Sequence, residues 1–394
     1  MTAAHVPAPI LPGATLGVLG GGQLGRMFGM AARQMGYRLH VFVPDKDSPA
    51  GQIADSVTLA SYDDLGAIER FARGVDAITF EFENVASAAA EAAAKHVPVR
   101  PAGSLLHATQ NRGREKHALS GLGIPVAPFV LIEEEAALEA AAQTVGLPAV
   151  LKTTAWGYDG RGQWRIRTLD DLRQAWAELA GTPAVLEQLI PFTAELSVVG
   201  VRGVDGQVAL YDPVLNRHEN HILDVTLCPA PVPERVAKAA LDLARQVLSE
   251  LEVVGVLCVE LFLLEDGSLL VNELAPRPHN SGHITLDAHV CSQFEQQVRA
   301  LCALPLGSTE RCVPAAAMVN LLGDLWQAGE PQWQHALVLP KTHLHLYGKS
   351  SPRMARKMGH ISVTSDTLED AERLALAARS QLTREGQPSE RTGA

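Results

Sequence analysis

Between residues 14 and 100, short apolar runs alternate with helical segments, and this alternation restricts the fold more than any other feature of the chain. Helices are predicted at residues 23–35 and 63–71 and before the last run, and the apolar runs are ATLGVLG, RLHVFV, SVTLA, AITFEF and VPVR. Strands that alternate with helices in this way build a parallel sheet with helices on its faces. A Rossmann-like, parallel-sheet domain is therefore predicted at the start of the chain.

The sequence after residue 113 predicts a different architecture. Between residues 125 and 304, strand-like runs follow one another as hairpins, with helices predicted at 133–145, 169–180 and 234–251. Hairpins with inserted helices indicate an antiparallel α+β layer. Short strands and a final helix from Leu368 follow from residue 313 onward. A chain of 394 residues is expected to form two or three domains, and we place them at residues 14–112, 113–312 and 313–394.

Composition limits the classes of function. The chain has 33 basic and 44 acidic residues, a net charge of −11, which disfavours an extended nucleic-acid surface. The longest apolar stretch, residues 253–264, contains Glu260 and is too short to span a bilayer, so no membrane segment or signal peptide is predicted. The five cysteines lack metal-ligand spacing and are predicted to be reduced core residues of a cytoplasmic protein.

The first predicted strand ends in a glycine-rich turn. Gly20, Gly22 and Gly25 form a G-x-G-x-x-G pattern, and Asp45 follows twenty residues beyond Gly25. This spacing is typical of dinucleotide-binding domains. The same turn at a helix N-terminus also binds other phosphates, or serves only as a tight turn. A nicotinamide or flavin cofactor, another phosphate ligand and a structural turn therefore all stay open on these residues.

Two acidic residues are predicted to face each other on a hairpin. Asp266-Gly267 favours a two-residue type I′ turn, and counting outward from it pairs Phe262 with Val271 and Glu260 with Glu273. Like charges directly opposite each other are destabilising, so a cation is expected between them. Magnesium is the candidate, with Asn272 as a neighbouring oxygen donor. A solvated hairpin face or a salt bridge to an arginine is the alternative.

A glycine-rich loop, GYDGRGQ, follows a strand that ends in Lys152. The lysine can reach ligand phosphates as a point charge, and the glycines let backbone N–H groups approach an anion. A plain hairpin loop is the alternative. A lysine, a glycine-rich loop and paired carboxylates together are what phosphoryl transfer from a magnesium nucleotide requires.

These stretches resemble the ATP-grasp enzymes, and within them the N5-carboxyaminoimidazole ribonucleotide synthetases of purine biosynthesis. The matching motifs, between about Leu16 and Thr364, are LGGGQLGRM, FEFENV, GYDGRGQW, LEQLI, VNELAPRPHNSGH and HLHLYGKSSPRMARKMGH. The resemblance implies an ATP-grasp fold with an N-terminal Rossmann-like domain and a small C-terminal domain around one cleft. It also implies that the glycine fingerprint contacts a ribonucleotide, so that Asp45 has no special role.

The resemblance assigns the remaining site residues. The ATP site would comprise Arg112, Lys152, Gly157, Tyr158, Asp159, Gly160, Arg161, Gly162, Gln163, Glu187, Gln188, Leu189, Ile190, Glu195, His218, Asn272 and Glu273. Magnesium would be held by Glu260 and Glu273, and the catalytic set would be Asp159, Arg277, His279 and Asn280, the last three around bicarbonate. The ribonucleotide would be bound by Gly22, Gln23, Leu24, Glu81, Asn84, Lys349, Arg356 and Lys357.

Some of these assignments keep alternatives. His218 lies in the polar segment LNRHENHI, for which a histidine on a surface loop is the alternative and which offers His221 as a competitor. The basic stretch that contains Lys349 and Arg356 also fits a solvated face, and Arg353 is a weaker candidate for the phosphate. Asp159 is placed to orient the ribonucleotide or to accept a proton.

The implied reaction joins ATP, bicarbonate and 5-aminoimidazole ribonucleotide to give ADP, phosphate and the N5-carboxylated product through carboxyphosphate. Members of the family are commonly homodimers. The rival interpretations are a formate-using glycinamide ribonucleotide transformylase, a biotin carboxylase-like enzyme, a nicotinamide-dependent dehydrogenase and a non-catalytic nucleotide sensor. The acceptor that stimulates phosphate release distinguishes the first two, tight NADH binding the third, and turnover the fourth.

Overall fold

A computed structural model describes residues 7–155, 162–327 and 329–382. Three sheets organise these residues, and each has its own apolar core. Among these residues we find no helix with the length and apolar character that a bilayer crossing requires.

The N-terminal region forms the predicted parallel sheet. Its strands lie in the order β3-β2-β1-β4, all pairings are parallel, and Val99 extends the sheet through a bridge to Ile78. The central strands β1 and β4 are buried, because helices cover both faces of the sheet. The elements are β1 (Thr15–Leu19), α1 (Gln23–Gln34), β2 (Arg38–Val43), β3 (Ser56–Leu59), α2 (Leu65–Ala72), β4 (Ala77–Phe80), α3 (Ser87–Ala94), α4 (Gly103–Thr109) and α5 (Arg112–Gly121).

A small antiparallel sheet follows, with strand order β5-β8-β6-β7. Its helix α7 begins where it does because Thr168 and Asp171 form a capping box, which satisfies two free N–H groups of the first turn. The elements are β5 (Phe129–Ile132), α6 (Leu138–Val145), β6 (Ala149–Thr153), β7 (Gln163–Ile166), α7 (Leu169–Glu178) and β8 (Ala184–Gln188).

A nine-stranded antiparallel sheet holds most of the remaining chain. Its strand order is β14-β13-β9-β11-β12-β15-β17-β16, and β10 pairs with β9. The C-terminal strands β15, β16 and β17 thus continue the sheet that begins in the middle of the chain, through the β12–β15 pairing.

The elements of this sheet and its helices are β9 (Phe192–Arg202), β10 (Val208–Leu210), β11 (Val214–Glu219), β12 (Ile222–Cys228), α8 (Glu234–Glu250), β13 (Gly255–Leu264), β14 (Leu269–Ala275), α9 (Thr285–Ala288), α10 (Gln293–Leu301), β15 (Ala315–Leu322), α11 (Trp333–Leu337), β16 (Thr342–Leu346), β17 (Lys357–Ser365) and α12 (Leu368–Ser380). Short 3₁₀ turns lie at Gly51–Ile53, Glu135–Ala137, Asn280–Ile284 and Gly323–Trp326. The alternation of parallel and antiparallel regions confirms the predicted mixed fold.

The β13–β14 hairpin corrects the predicted turn. Leu264 and Ser268 close a three-residue loop, with Gly267 at φ +85°, instead of a two-residue turn. Phe262 accordingly pairs with Leu270 and not with Val271. A bulge at Asn272 then shifts the register by one residue, so that Glu260 still pairs with Glu273, as predicted.

One alternative and one further prediction were wrong. The surface-loop alternative for LNRHENHI is excluded, because residues 214–228 form the hairpin of β11 and β12 with its turn at Asn220-His221. All five cysteines are free, as predicted, but Cys312 is exposed and therefore is not a core residue.

Candidate active site

One cleft of about 790 Å³ lies between the three sheets and collects most of the predicted site residues. The predicted residues that line it are Gly22, Gln23, Leu24, Glu81, Asn84, Arg112, Lys152, Gln163, Glu187, Gln188, Leu189, Ile190, Glu195, His218, Glu260, Asn272, Glu273, Arg277, His279, Asn280 and Lys357. Gly162, Lys349 and Arg356 are outside this lining. Gly157, Tyr158, Asp159, Gly160 and Arg161 lie outside the described residues.

A buried carboxylate organises the wall of the cleft formed by the small sheet. Glu187 on β8 contacts Lys152 at 2.9 Å and Lys116 at 3.4 Å through the same oxygen, Oε2. Burial alone would raise the pKa of Glu187, but the two ammonium groups outweigh it and hold the pKa below its usual value. Burial also lowers the pKa of Lys152, against the opposing effect of Glu187. Oε1 of Glu187 is buried and has no hydrogen-bond partner among the described residues.

The part of the cleft lined by β9, β11 and β13 of the large sheet combines an aromatic pair with an acid and a histidine. Phe192 and Phe262 stack with ring centroids 4.5 Å apart and an interplanar angle of 5°. His218 contacts Glu195 through Nδ1, because β11 and β9 are neighbours in the large sheet. His221 also lines the cleft, at the turn of the same hairpin.

The facing acids of β13 and β14 each have a cationic neighbour. Nε2 of His279 lies 3.0 Å from Glu260, and Nη1 of Arg112 lies 3.1 Å from Glu273. Burial would raise the pKa of Glu260, but His279 lowers it below the usual value. Two facing carboxylates beside the Asn272 amide form a set of hard oxygen donors, which fits Mg²⁺.

Glu115 on α5 is a third acid in this part of the cleft. It is buried and accepts a hydrogen bond from the backbone N–H of Leu274 at 3.3 Å. Burial and, next, the nearby charge of Glu273 raise its pKa to about 8. The Glu115 carboxyl is therefore largely protonated at neutral pH, which relieves the repulsion between it and Glu273.

A polar cluster follows directly after β14. Arg277 forms an ion pair with Glu83; burial would raise the pKa of Glu83, but Arg277 lowers it to about 2. His279 and Asn280, which follow after Pro278, also line the cleft. Both side-chain atoms of Asn280, Nδ2 and Oδ1, are buried without a hydrogen-bond partner among the described residues. Such a group is costly unless a ligand or water satisfies it, so this amide is available to a small polar ligand.

The glycine fingerprint lies at the N-terminus of α1, and a carboxylate occupies that terminus. Glu81 accepts hydrogen bonds from the N–H groups of Gly22 and of Gly25, the latter at 2.9 Å. A Cβ on Gly22 would lie 2.6 Å from Glu81 Oε1, so the two groups are in close contact. A pyrophosphate at this helix terminus would meet a carboxylate in the same place. The structure therefore disfavours binding of a dinucleotide at this helix terminus. Asp45, the other part of the fingerprint, is exposed.

The basic C-terminal stretch meets the N-terminal domain beside Glu81. Gln52 donates to the carbonyl oxygen of Gly348 at 2.6 Å, and Ser350 donates to Asp47. Nζ of Lys349 donates to the carbonyl of Lys357 at 2.5 Å. Burial and the nearby Arg356 lower the pKa of Lys349 to about 8.

The other arginines of the stretch differ in their surroundings. Arg356 donates to the carbonyl oxygen of Ser351 at 2.8 Å, and Arg353 is exposed.

Profiles of three domain families match the chain in sequence order. Residues 13–110 match the ribonucleotide synthetase preATP-grasp domain, residues 117–294 the ATP-grasp domain, and residues 316–374 the phosphoribosylaminoimidazole carboxylase C-terminal domain. An N5-carboxyaminoimidazole ribonucleotide synthase from Bacillus subtilis (strain 168) is 46% identical over 353 residues, which cover 90% of this chain and 92% of that protein. The chain belongs to the N5-carboxyaminoimidazole ribonucleotide synthetase family.

Solved structures of N5-carboxyaminoimidazole ribonucleotide synthetases have the same fold. An ADP complex of one such enzyme matches with a TM-score of 0.89 and 41% identity, covering 96% of this chain and 98% of that one. The Aspergillus clavatus enzyme in complex with ADP and 5-aminoimidazole ribonucleotide matches with a TM-score of 0.85 and 33% identity, covering 94% of this chain and 98% of that one. The predictions of the family, of the ATP-grasp fold and of a ligase are confirmed.

The cleft also contains residues that the sequence analysis did not assign to a site. They are Glu83, Glu115, Phe192 and Phe262 in the lining, together with Lys116 behind Glu187. Lys116 and Glu115 lie in RGREKH, a charged stretch that is typical of an exposed helix face. The one local signal for Lys116 is its i, i+4 spacing from Arg112, which puts both cations on one side of α5.

Proposed function

We propose that this protein carboxylates 5-aminoimidazole ribonucleotide with bicarbonate and ATP, giving N5-carboxyaminoimidazole ribonucleotide, ADP and phosphate in de novo purine biosynthesis. The observation that carries the proposal is that the Lys152–Glu187 pair, the facing acids and the Arg277–Asn280 cluster line a single cleft. A nucleotide, a small anion and a ribonucleotide can therefore meet in one place.

The nucleotide fits the wall formed by the small sheet. The unpartnered Oε1 of Glu187 can accept a hydrogen bond from an amino group such as that of adenine. Lys152 and Arg112 supply positive charge for the phosphates. Glu195 and His218 line the same cleft from the large sheet, where a ribose would be placed.

Glu260 and Glu273 would hold Mg²⁺, with Asn272 beside them. When bound, the ion would neutralise charge on the β- and γ-phosphates during transfer. Arg112 and His279, which contact these acids in this structure, would then be released toward the phosphates and toward bicarbonate.

Bicarbonate fits the cluster beside the acids. The guanidinium of Arg277 and the free amide of Asn280 supply donors for a planar oxyanion. An oxygen of bicarbonate attacks the γ-phosphorus, the bond to ADP breaks, and carboxyphosphate forms. Carboxyphosphate then divides into phosphate and CO₂, the amine of the ribonucleotide attacks CO₂, and that amine loses one proton.

The ribonucleotide would lie at the end of the cleft that the N-terminal parallel-sheet domain forms. Gly22, Gln23, Leu24 and Asn84 line this end beside Glu81, and Lys349, Arg356 and Lys357 supply charge for its 5′-phosphate. Water would destroy carboxyphosphate, so the glycine-rich loop 157–163 is assigned to cover the cleft and Asp159 to orient the amine. We also propose that the protein acts as a homodimer.

The test is ADP formation measured with bicarbonate, with and without 5-aminoimidazole ribonucleotide. We expect ADP release that needs bicarbonate and rises with the ribonucleotide, together with product of equal amount. Stimulation by formate and glycinamide ribonucleotide instead, or no ADP release with any acceptor, would overturn the proposal.

A further inference from the structure

Four buried side chains behind the cleft form a hydrogen-bonded chain that ends on the ring of His279. Thr226 donates to Oδ1 of Asn216 at 3.0 Å, and Nδ2 of Asn216 donates to the hydroxyl of Ser197 at 2.9 Å. The hydroxyls of Ser197 and Ser281 lie 2.7 Å apart, and the hydroxyl of Ser281 lies 2.8 Å from Nδ1 of His279. The chain crosses β12, β11 and β9 and reaches the 3₁₀ turn that follows β14.

The chain of hydrogen bonds meets the His279 ring at Nδ1. The hydroxyl of Ser281 lies 2.8 Å from Nδ1, and the backbone nitrogen of Ser281 lies 3.3 Å from the same atom. The amide of Asn216 donates to the hydroxyl of Ser197, which in turn contacts the hydroxyl of Ser281. The other ring nitrogen, Nε2, lies 3.0 Å from Glu260, so the two sides of the ring are held by different partners.

The backbone of His279 is held by a separate contact. The side chain of Gln293, at the start of α10, accepts from the N–H of His279 at 2.9 Å and donates to its carbonyl oxygen at 2.8 Å. The backbone position and the ring direction of His279 are thus fixed by two different sets of groups.

Burying these four hydrogen-bonded side chains costs more free energy than burying apolar side chains in the same place would. Thr226, Ser197 and Ser281 are fully buried and Asn216 is 5% exposed, so each polar group lost water on folding. Alanine and valine would fill the same space without that cost. A fully satisfied polar chain nevertheless specifies one orientation for its members, which apolar contacts do not.

We propose that Ser281, supported by Ser197, Asn216 and Thr226, is a positioning residue for His279. It holds the ring at Nδ1 and turns it so that Nε2 points to Glu260 and to the space beside Asn280. This inference rests on the proposed function, because it assigns Ser281 to the step in which His279 meets bicarbonate. Ser281 does not contact a substrate itself.

The first test is kinetic. Ser281→Ala removes the hydroxyl that contacts Nδ1, and the loss of that hydrogen bond, worth about 1 kcal/mol or about a fivefold rate change, should lower kcat with an unchanged KM for ATP. Thr226→Val should act in the same direction, and Thr226→Ser should restore the rate. The matched control is Ser362→Ala on β17, because Ser362 is also fully buried and its hydroxyl has no partner among the described residues.

A double-mutant cycle separates positioning from a general structural effect. In a His279→Ala background, Ser281→Ala should have no further effect on the residual rate, because its action passes through the missing ring. An equal fall of about fivefold in both backgrounds, or an unchanged kcat in Ser281→Ala, would overturn the inference.

The second test does not use activity. In crystal structures, Nε2 of His279 should point to Glu260 in the wild-type protein, and the ring should turn away from that direction in Ser281→Ala and in Thr226→Val. An unchanged ring direction in Thr226→Val and in Ser281→Ala would overturn the inference, and Thr226→Val keeps the test decisive even if Ser281→Ala fails to fold. If the wild type makes no product but the ring turns in the variants, the proposed function fails while the structural basis of the inference stands.

Discussion

Glu260 lies directly opposite Glu273 across β13 and β14, and each of the two carboxylates has a cation of its own. The repulsion between them is thus relieved without a metal, by His279 on one side and Arg112 on the other. Binding of Mg²⁺ would replace these partners and free them for the substrates. The same pair of acids therefore serves in folding and, by our proposal, in catalysis.

Replacing either acid by its amide tests the metal site. Glu260→Gln and Glu273→Gln keep the shape but remove the charge that a divalent ion needs, and each should lower the rate of ATP turnover by roughly a hundredfold. Initial rates measured over a range of Mg²⁺ concentrations check this. Glu265→Gln, in the exposed hairpin loop, is the control. Wild-type rates and magnesium dependence in both variants would remove these acids from the metal site.

The two lysines that share one oxygen of Glu187 predict an order of stabilities. Glu187→Gln leaves two buried ammonium groups without their counter-ion, which costs on the order of 3–5 kcal/mol. Lys116→Met leaves Glu187 paired with Lys152 and should cost less. Thermal unfolding should therefore show a larger fall in melting temperature for Glu187→Gln than for Lys116→Met. The opposite order would mean that Lys116 is held by other contacts.

Lys349 should make binding of the ribonucleotide sensitive to pH. Its pKa of about 8 means that the ammonium group loses its proton as pH rises through 8, whereas an ordinary lysine stays charged to about pH 10. The KM for the ribonucleotide should therefore rise between pH 7 and pH 9. Lys349→Arg should remove this rise, because arginine stays charged.

The effect of Lys349 on stability has the opposite sign. Above pH 8 the unfolded chain binds a proton at this lysine that the folded chain does not, so the contribution of Lys349 to the unfolding free energy grows with pH up to about 10.

For the binding prediction, a wild-type KM for the ribonucleotide that is flat from pH 7 to pH 9 would contradict the lowered pKa of Lys349.

Gly22 should not tolerate a side chain. Gly22→Ala would place a Cβ 2.6 Å from the Glu81 carboxylate and displace it from the helix terminus, so kcat/KM for the ribonucleotide should fall by about tenfold or more. Gly121→Ala is the matched control, because a Cβ there meets nothing within 4 Å. Equal rates in the two variants would show that the position of Glu81 does not matter to the substrate.

Asp159 lies outside the described residues, and its role is a prediction from the sequence alone. Asp159→Ala should fold and bind ATP but lose carboxylation, because the amine of the ribonucleotide would no longer be oriented. Product formation and ATP binding by calorimetry measure the two properties separately. Asp170→Ala, at an exposed position on α7, is the control. Normal turnover in Asp159→Ala would refute the assignment.

The β13–β14 hairpin shows how far sequence reasoning reaches. The pairing of Glu260 with Glu273 was predicted, but from a turn of the wrong length. The three-residue loop moves the register by one residue, and the bulge at Asn272 moves it back. Turn dipeptides indicate that a hairpin exists, whereas loop length and bulges depend on packing against β9, which no local pattern contains.

Site residues were found where the sequence contains a motif of the family, and they were missed where the contact depends on a distant part of the chain. The Arg277–Asn280 cluster was predicted from the resemblance of VNELAPRPHNSGH to the family. Lys116 on α5 was missed because its partner, Glu187, comes 71 residues later, on β8. For His218 a surface loop was the alternative because its segment is polar, whereas the structure places His218 on β11 and in the lining of the cleft.

The continuous nine-stranded sheet has a mechanical consequence. Glu260, Glu273, His218 and Lys357 all lie on strands of that one sheet, so hydrogen bonds between neighbouring strands connect them. Lys152 and Glu187 belong to the separate four-stranded sheet. We therefore expect the small sheet, together with a bound nucleotide, to move relative to the large sheet. The residues on the large sheet would then keep the same distances from one another during each turnover.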